Sequence, residues 1–307
     1  MRIVVALGNN ALLRRGEHPG EEVQRDNIDR VATALATLAH ENELVVTHGN
    51  GPQIGLLAVE SAADPALSAP RPLDLLGAQT QGMIGSLLAR TLRNALPGRR
   101  IAALVTHAVV RAHDPAFDRP TKFVGQVYPR KLAQSLAREH GWHIAEDTSG
   151  WRRVVASPQP ERIVETDTIH DLLTCGTLVI CTGGGGIPVT ADNDTGGLSG
   201  AEAVIDKDLS AALLAEDLKA DFLLILTDVP NIYADYGTPD QRPVLDATPD
   251  ELRHGGFPDG SMKPKAEAAA RFVERTGGVA AIGALDAAYD IVHGNSGTLI
   301  RPELPIV

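Results

Sequence analysis

Short apolar runs alternate with amphipathic stretches along almost the whole of this 307-residue chain. Each run is a continuous apolar block, which is typical of a strand that is buried on both faces. The predicted strands are Ile3–Leu7, Leu44–Thr47, Ile101–Thr106, Leu178–Cys181, Phe222–Leu226 and Val279–Ile282, and the predicted helices are Glu21–His40, Leu73–Leu92, Arg130–His140, Asp208–Leu218 and Lys265–Arg275. This alternation predicts an α/β protein in which helices cover both faces of a mainly parallel sheet.

Loops rich in glycine and asparagine follow three of the predicted strands. They are Gly8-Asn9-Asn10, Gly49-Asn50-Gly51 and Gly183–Gly186. In a parallel sheet these loops lie at the carboxyl edge, where ligands bind. Glycine lets the backbone approach a ligand closely, and backbone amides at the start of a helix bind anions. A tight turn would explain any one loop, but three at one edge favour a site for phosphate or carboxylate.

The basic residues comprise 22 arginines and six lysines. A coding bias toward arginine would explain the small number of lysines. Four of the six, however, lie in turn-rich junctions: Lys122, Lys207, Lys263 and Lys265. A compact ammonium can follow a phosphoryl group as it moves, whereas a planar guanidinium suits a fixed geometry. Asp208 beside Lys207 forms either a surface ion pair or an anchor for several lysines. Together with the glycine loops, these lysines favour phosphoryl transfer, although no P-loop, HRD or DFG motif is present.

Composition excludes several classes of protein. With 28 basic and 39 acidic residues the formal charge is −11, which disfavours nucleic acid and anionic membranes as partners. No apolar segment is long enough to span a membrane, and Met1–Leu7 is too short for the core of a signal peptide. Two cysteines, Cys175 and Cys181, are too few for a disulfide framework or a zinc cluster, so we expect reduced, buried thiols. We therefore expect a soluble, cytoplasmic protein.

The strand–helix pattern is interrupted in two places. From about residue 120 to residue 160 the chain contains both tryptophans and the polar pair Arg152-Arg153, which predicts a small subdomain or flap. After Pro188 the stretch Thr190–Gly200 is polar and rich in glycine. We place a boundary between two lobes there, so that the predicted lobes are residues 1–190 and 191–307.

Eight short motifs occur along the chain in a characteristic order. They are Val5–Ala11, His48–Gln53, Thr80–Gly82, Pro120–Lys122, Gly150–Pro158, Cys181–Pro188, Glu202–Asp208 and Gly260–Lys265. In these motifs the sequence resembles the carbamate kinases of the amino acid kinase family, from about residue 3 to residue 298. The Gly150–Val155 stretch and Lys122 are specific to the carbamate kinases within that family.

The resemblance implies a three-layer αβα fold with an open, mainly parallel sheet of about eight strands, a small protruding subdomain and a homodimer. It implies the Mg²⁺-dependent reaction ATP + carbamate ⇌ ADP + carbamoyl phosphate, used toward ATP in arginine and nitrogen catabolism. Residues 1–190, with the flap at about 120–160, would bind carbamate or carbamoyl phosphate. Residues 191–307 would bind ATP or ADP.

The resemblance also implies roles for single residues. The catalytic residues would be Lys122, Lys207, Asp208 and Lys265. The residues at carbamate and at the transferred phosphoryl group would be Gly8, Asn9, Asn10, Gly49, Asn50 and Gly51, with the backbone amides of Gly8 and Asn9 as donors. The residues on the nucleotide side would be Lys207, Thr227, Asp228, Val229, Tyr233, Met262 and Lys265. No metal ligand is assigned, because the nucleotide phosphates would hold most of the Mg²⁺ coordination.

Asn9 departs from the family pattern, which usually has glycine there. Its side chain would enter the space beside the phosphoryl group, so one alternative is a related kinase that acts on another small carboxylate or carbamate-like acid. A kinase-like binding protein without catalysis is a second alternative. A dinucleotide-dependent oxidoreductase is a third, because Gly49–Gly55 loosely resembles a Rossmann fingerprint, although Pro52 is atypical and such a match arises easily in a chain with 30 glycines.

Overall fold

The computed structural model describes residues 1–12, 21–147, 150–192, 194–257 and 262–303. Its helices are α1 (Asn9–Leu12), α2 (Glu21–Ala39), α3 (Gly51–Ala63), α4 (Leu73–Ala95), α5 (Arg130–His140), α6 (Thr166–Thr174), α7 (Lys207–Asp217), α8 (Pro249–His254), α9 (Met262–Thr276) and α10 (Ala288–Val292). Its strands are β1 (Arg2–Leu7), β2 (Glu43–His48), β3 (Ile101–Ala103), β4 (His107–Val110), β5 (Lys122–Tyr128), β6 (His143–Asp147), β7 (Gly150–Val155), β8 (Pro160–Ile163), β9 (Leu178–Ile180), β10 (Ile187–Ala191), β11 (Leu198–Gly200), β12 (Phe222–Thr227), β13 (Ile232–Ala234), β14 (Arg242–Val244), β15 (Asp246–Ala247), β16 (Val279–Ala284) and β17 (Thr298–Ile300). Every helix and strand predicted from the sequence is present, with ends that differ by a few residues.

The central sheet has eight strands in the order β15-β17-β16-β12-β1-β2-β9-β3. β1 pairs in parallel with both β2 and β12, so that Ile3 lies opposite Leu44 on one side and Phe222 on the other. β17 pairs with β16 in the antiparallel sense, and β15 runs parallel to β17. The open, mainly parallel sheet of eight strands is thus confirmed.

Two separate apolar cores lie on the two faces of this sheet, as the side chains of β1 show. Val4 and Ala6 belong to the core that α6, α7 and α9 cover. Ile3, Val5 and Leu7 belong to the core that α2 and α4 cover. All five side chains are fully buried, and burying one large aliphatic side chain contributes about 1.5–3 kcal/mol. The continuous apolar run in the sequence follows from burial on both faces, which confirms the three-layer αβα architecture.

A three-stranded antiparallel sheet forms a flap beside the central sheet. Its order is β5-β7-β6, and α5 packs against it. The flap touches α3 through two glycines, because a Cβ on Gly55 would lie only 2.5 Å from the Cα of Gly125. The flap falls inside the range 120–160 expected from the sequence, whereas the division into two lobes after residue 190 stays a prediction.

A four-stranded sheet, β11-β10-β4-β8, was not predicted from the sequence. Its strands are three to five residues long, and two of them contain proline. Such segments are too short to show a clear period of apolar residues. The sheet forms all the same because long-range pairing, such as Val189 opposite Val109, buries both side chains.

The expectation of two buried thiols is wrong for one cysteine. Cys181 is buried, but Cys175 is exposed because it lies at the surface end of α6. Within the described residues, no helix combines the length and the apolar character needed to cross a bilayer.

Candidate active site

The loops after β1, β2 and β12 meet at the carboxyl edge of the central sheet. The backbone N–H of Gly8 donates to the carbonyl of Leu226 at 2.9 Å, and that of Gly49 donates to the carbonyl of Leu7 at 3.0 Å. The expectation that the amide of Gly8 donates to a phosphoryl group is therefore wrong, because its N–H already has a partner. Gly8 acts through its size instead, since a Cβ there would lie 2.9 Å from the Leu226 oxygen.

Three of the residues with an implied catalytic role form one cluster at the start of α7 and α9. Nζ of Lys207 donates to Oδ1 of Asp208 at 2.8 Å, and Nζ of Lys265 donates to Oδ2 of the same carboxylate at 3.1 Å. The side chain of Asp208 is 2% exposed, and those of the lysines are 11% and 14% exposed. Asp208 is thus a buried anchor for two lysines rather than half of a surface ion pair.

Burial and charge oppose one another in this cluster. Burial would raise the pKa of Asp208, but the charges of the two lysines together outweigh it and hold the pKa below its usual range. Burial would lower the pKa of Lys265, yet the Asp208 carboxylate raises it above its usual value. Burial prevails at Lys207 and lowers its pKa, and the charge of Lys265 adds to this effect. Lys207 therefore loses its proton more readily than Lys265.

Lys122 approaches the same helix from the flap. Its Nζ donates to Oδ2 of Asp206 at 2.5 Å. Asp206 is the N-cap of α7, where Oδ1 accepts from the backbone N–H groups of Asp208 at 2.9 Å and Leu209 at 3.4 Å. Burial would raise the pKa of Asp206, but the charges of Lys122 and Lys207 keep it below its usual range.

Sequence reasoning gave Asp206 no role. The signal that could have found it is an acidic residue two positions before the start of the predicted helix Asp208–Leu218, close to the place that is typical of an N-cap. Its ion pair with Lys122 joins residues 84 positions apart and has no local signal.

The loop between β2 and α3 is held from inside the protein. Nδ2 of Asn50 donates to Oγ1 of Thr80 at 2.9 Å, so the Asn50 side chain is turned toward α4. His48 is buried, and its Nδ1 donates to the carbonyl of Gly49 at 3.0 Å. Burial lowers the pKa of His48 to about 4. The ring is therefore neutral at pH 7, and it fixes the loop without adding charge.

The four-glycine loop Gly183–Gly186 packs behind this loop. A Cβ on Gly183 would lie 2.4 Å from the His48 ring, and a Cβ on Gly184 would lie 2.2 Å from Nδ2 of Asn50. Gly184 also has a φ of +65°, which disfavours other residues. The glycines are buried and allow close packing. The Gly183–Gly186 loop therefore supports the β2–α3 loop. The sequence analysis had instead favoured Gly183–Gly186 as part of an anion site.

Asn9 lies over the two glycines of the β2–α3 loop. Its Oδ1 accepts from the backbone N–H of Gly51 at 3.4 Å. A Cβ on Gly49 would lie 1.8 Å from the same oxygen, and a Cβ on Gly51 would lie 2.8 Å from Nδ2. The structure thus brings together Asn9, Gly49 and Gly51, while the side chain of Asn10 lies outside the described part of the chain.

The residues expected on the nucleotide side lie after β12 and at the start of α9. Oγ1 of Thr227, the last residue of β12, donates to Oδ1 of Asp228 at 3.1 Å, and Val229 follows in the same loop. Tyr233 lies on β13. Met262 begins α9, the helix that also contributes a lysine to the cluster, and it packs against the core beneath. Nucleotide binding by these five residues stays a prediction.

A cavity of about 560 Å³ lies at the opposite edge of the central sheet. Arg2, Asn42 and Lys219 are among the residues that line it. Parallel sheets bind ligands at the carboxyl ends of their strands, and this cavity lies at the amino ends. The lysine cluster, and not this cavity, is therefore the candidate active site.

Known proteins resemble this chain over nearly its full length. The amino acid kinase family model matches residues 1–282. A carbamate kinase from Rhizobium meliloti is 49% identical over 302 residues, which cover 98% of this chain and 93% of the relative. One from Escherichia coli K12 is 47% identical over 298 residues, which cover 97% and 98%. The solved carbamate kinase from Giardia lamblia bound to AMP-PNP has a TM-score of 0.90 at 38% identity and covers 98% of each chain.

These matches extend far beyond the short motifs that suggested them. Identity of 47–49% over nearly the whole chain decides against the Rossmann alternative, whose fingerprint covered only Gly49–Gly55. The agreement in fold includes the central sheet, the flap and the helices that hold the lysines, since 98% of both chains is matched. The chain therefore belongs to the amino acid kinase family, among its carbamate kinases.

Proposed function

We propose that this protein is a carbamate kinase, which transfers a phosphoryl group reversibly between ATP and carbamate. The observation that carries the proposal is the pair of buried lysines, Lys207 and Lys265, on the single carboxylate of Asp208. Curated relatives of 47–49% identity that bear this name support the choice of acceptor. In the ATP-consuming direction an oxygen of carbamate forms the new bond to the γ-phosphorus, and ADP leaves with the electrons of the old P–O bond.

Both reactants are anions, so charge screening is the main task of the protein. Two unit charges about 4 Å apart repel by about 4 kcal/mol at an effective dielectric constant near 20. Lys207 and Lys265 would contact the phosphoryl oxygens, and Lys122 would contact carbamate from the flap. Carboxylates hold all three ammonium groups in place. The lysines therefore need to move little when negative charge develops on the transferred phosphoryl group.

Gln53 offers a physical reason for carbamate rather than acetate. Its Oε1 is buried and has no hydrogen-bond partner among the described residues. Gln53 lies in the first turn of α3, where side chains point back toward the start of the helix. If carbamate binds at this helix start, its amino group can donate to this oxygen, whereas the methyl group of acetate cannot. A buried, unpaired acceptor discriminates strongly against the analogue that lacks the donor.

The residues present fit a Mg²⁺ ion that the nucleotide itself holds. Asp206 and Asp208 are both engaged by lysines. No group of three or more His, Cys, Asp or Glu side chains with metal-binding geometry occurs in the part of the chain that the structure describes. Mg²⁺ keeps several waters and binds phosphate oxygens readily, and when bound it neutralises phosphate charge.

We also propose that the protein is a cytoplasmic homodimer that works toward ATP in catabolism. In support of a dimer, β3 is an edge strand of the central sheet, and Val105 beside it is 50% exposed. Met83 on α4, which packs against β3, is 42% exposed. Light scattering after size-exclusion chromatography should give twice the mass of one 32.4 kDa chain.

The reaction is tested by ATP formation from MgADP and carbamoyl phosphate, coupled to hexokinase and glucose-6-phosphate dehydrogenase. We expect turnover with carbamoyl phosphate and much less with acetyl phosphate. The reverse preference would favour the related-kinase alternative. Thermal stabilisation by MgADP without turnover of either acyl phosphate would favour a binding protein.

A further inference from the structure

The start of α3 receives no hydrogen bond from the side chain of its own N-cap. α3 is a helix of 13 residues whose N-cap, Asn50, makes no side-chain cap because its amide group is bound to Thr80. The first backbone N–H groups of a helix need acceptors from outside it. Pro52 contributes no N–H. In the described structure, the acceptor for Gly51 is the carboxamide oxygen of Asn9.

The group that fills this position resembles the proposed acceptor. A carboxamide consists of a carbonyl oxygen and an amino group on one planar carbon, and carbamate and the carbamoyl group of carbamoyl phosphate contain the same unit. Asn9 places this unit over both Gly49 and Gly51, with its oxygen at one glycine and its nitrogen at the other. It therefore covers the backbone surface that the resemblance to carbamate kinases assigns to carbamate or carbamoyl phosphate.

The contact made by Asn9 is easy to displace. The side chain is exposed, and its hydrogen bond of 3.4 Å is longer than the usual 2.7–3.2 Å for N–H···O. The positive end of the α3 dipole favours an anion over a neutral amide. A bound acceptor can therefore replace the carboxamide, which rotates toward solvent.

We propose that the carboxamide of Asn9 is an internal competitor of the acceptor substrate. In the structure it covers the position of the carbamoyl group, and binding of the acceptor displaces it. The identity of that acceptor rests on the proposed function. Competition of this kind lowers the apparent affinity for the acceptor. The association constant is multiplied by the fraction of molecules in which the carboxamide has left the position. It acts on the acceptor side and leaves nucleotide affinity unchanged.

Three variants separate the contributions of Asn9. Asn9→Ala removes the carboxamide and keeps a helical backbone, whereas Asn9→Gly removes it and also adds backbone freedom. Asn9→Asp places a carboxylate at the same helix start, where it competes more strongly than an amide. Asn42→Ala is the matched control, because Asn42 precedes β2 at the opposite edge of the sheet and bonds to the carbonyl of Leu38.

The experiment is calorimetric titration of each variant with fresh carbamoyl phosphate without ADP, and separately with MgADP. We expect Asn9→Ala and Asn9→Gly to bind carbamoyl phosphate about three- to tenfold more tightly than the unmodified protein. Asn9→Asp should bind it about tenfold more weakly, and Asn42→Ala should match the unmodified protein. Equal or weaker binding by Asn9→Ala would overturn the proposal, as would an equal change in its affinity for MgADP.

Steady-state kinetics gives a second readout. The KM for carbamoyl phosphate should fall in Asn9→Ala while the KM for MgADP stays constant. A fall in kcat with no change in either KM would mean that the carboxamide acts on the moving phosphoryl group, and it would overturn the proposal. If carbamoyl phosphate binds but is not turned over, its titration without ADP still tests the competition, because binding alone displaces the carboxamide. Failure of the reaction and failure of the Asn9 inference are thus distinguishable.

Discussion

Lys122 and Asp206 join the flap to the start of α7 through an ion pair of 2.5 Å. Asp206 also caps α7, the helix on which Asp208 holds Lys207 and Lys265. One carboxylate therefore links the position of the flap to the geometry of the lysine cluster. A movement of the flap that carries Lys122 away would leave Asp206 buried with less compensating charge, which favours the arrangement in which this ion pair is formed.

Substitution of Asp206 separates its two roles. An asparagine side chain still caps a helix, so Asp206→Asn should lose the hold on Lys122 but keep α7. Asp206→Ala should lose both and lower the free energy of unfolding by about 1 kcal/mol more than Asp206→Asn. Both variants should raise the KM for carbamoyl phosphate. Urea unfolding and steady-state kinetics measure the two effects.

Equal unfolding free energies in the two Asp206 variants would contradict the capping role. An unchanged KM in both would show that the flap lysine does not need this partner. Asp192→Asn serves as a control, because Asp192 accepts from Thr195 in an exposed turn away from the cluster.

Removal of Lys207 should stop phosphoryl transfer. Lys207→Ala takes away an ammonium group fixed before the substrate binds, and we expect kcat to fall by about a thousandfold. The loss also leaves Asp208 with one lysine, so the free energy of unfolding should fall as well. Lys219→Ala is the matched control, because Lys219 lines the cavity at the amino edge and should have no effect on rate.

Circular dichroism of both lysine variants, together with their rates of ATP formation from MgADP and carbamoyl phosphate, checks this prediction. Comparable rates in a folded Lys207→Ala and in Lys219→Ala would refute the placement of the active site. Lys207→Arg adds a further comparison, since a guanidinium keeps the charge but differs in shape and donor geometry.

The central sheet was predictable because its strands are buried on both faces. Burial of β1 on two cores makes Ile3–Leu7 a continuous apolar run, and a run of this length is too short for a buried helix. The lysines of the site were found because the chain contains few lysines. The glycine loops were found because glycine-rich segments follow three of the predicted strands. These are local or compositional signals.

The contacts that organise the site have no such signal. The ion pair of Lys122 with Asp206 and the contact of Gly55 with Gly125 join distant parts of the chain. The amide of Gly8 was assigned to a ligand because its partner, a carbonyl of β12, becomes a neighbour only when the parallel sheet forms. Tertiary pairing decides which backbone donors remain free, and a linear pattern of residues does not show it.

His48 should make the protein sensitive to acid. The pKa of His48 is about 4 in the folded protein against an ordinary value of 6.5, so between these values the unfolded state binds more protons. The free energy of unfolding should therefore decrease as the pH falls from 6.5 to 4, by up to about 3 kcal/mol from this residue. His48→Gln should remove this part of the pH dependence.

Urea unfolding at several pH values measures the slope. His48→Gln will also lose packing against Gly183, which lowers stability at every pH, so the slope and not the absolute value carries the test. The exposed His113 gives the control variant, His113→Gln, whose profile should follow the unmodified protein. An unchanged slope in His48→Gln would contradict the prediction.

Gly55 should be needed for the seating of the flap on α3. A Cβ at Gly55 would lie 2.5 Å from the Cα of Gly125 and 2.7 Å from its nitrogen, and backbone cannot move aside as a flexible side chain can. Gly55→Ala should therefore push β5 away from α3, lower the free energy of unfolding by about 1–3 kcal/mol and raise the KM for carbamoyl phosphate.

Gly77→Ala on α4 is the control, since a Cβ there meets no atom within 4 Å. Because alanine is more favourable than glycine inside a helix by about 0.5–1 kcal/mol, Gly77→Ala should leave the free energy of unfolding unchanged or raise it. If Gly55→Ala were as stable as Gly77→Ala and kept the original KM, the close contact between flap and helix would not be what places Lys122.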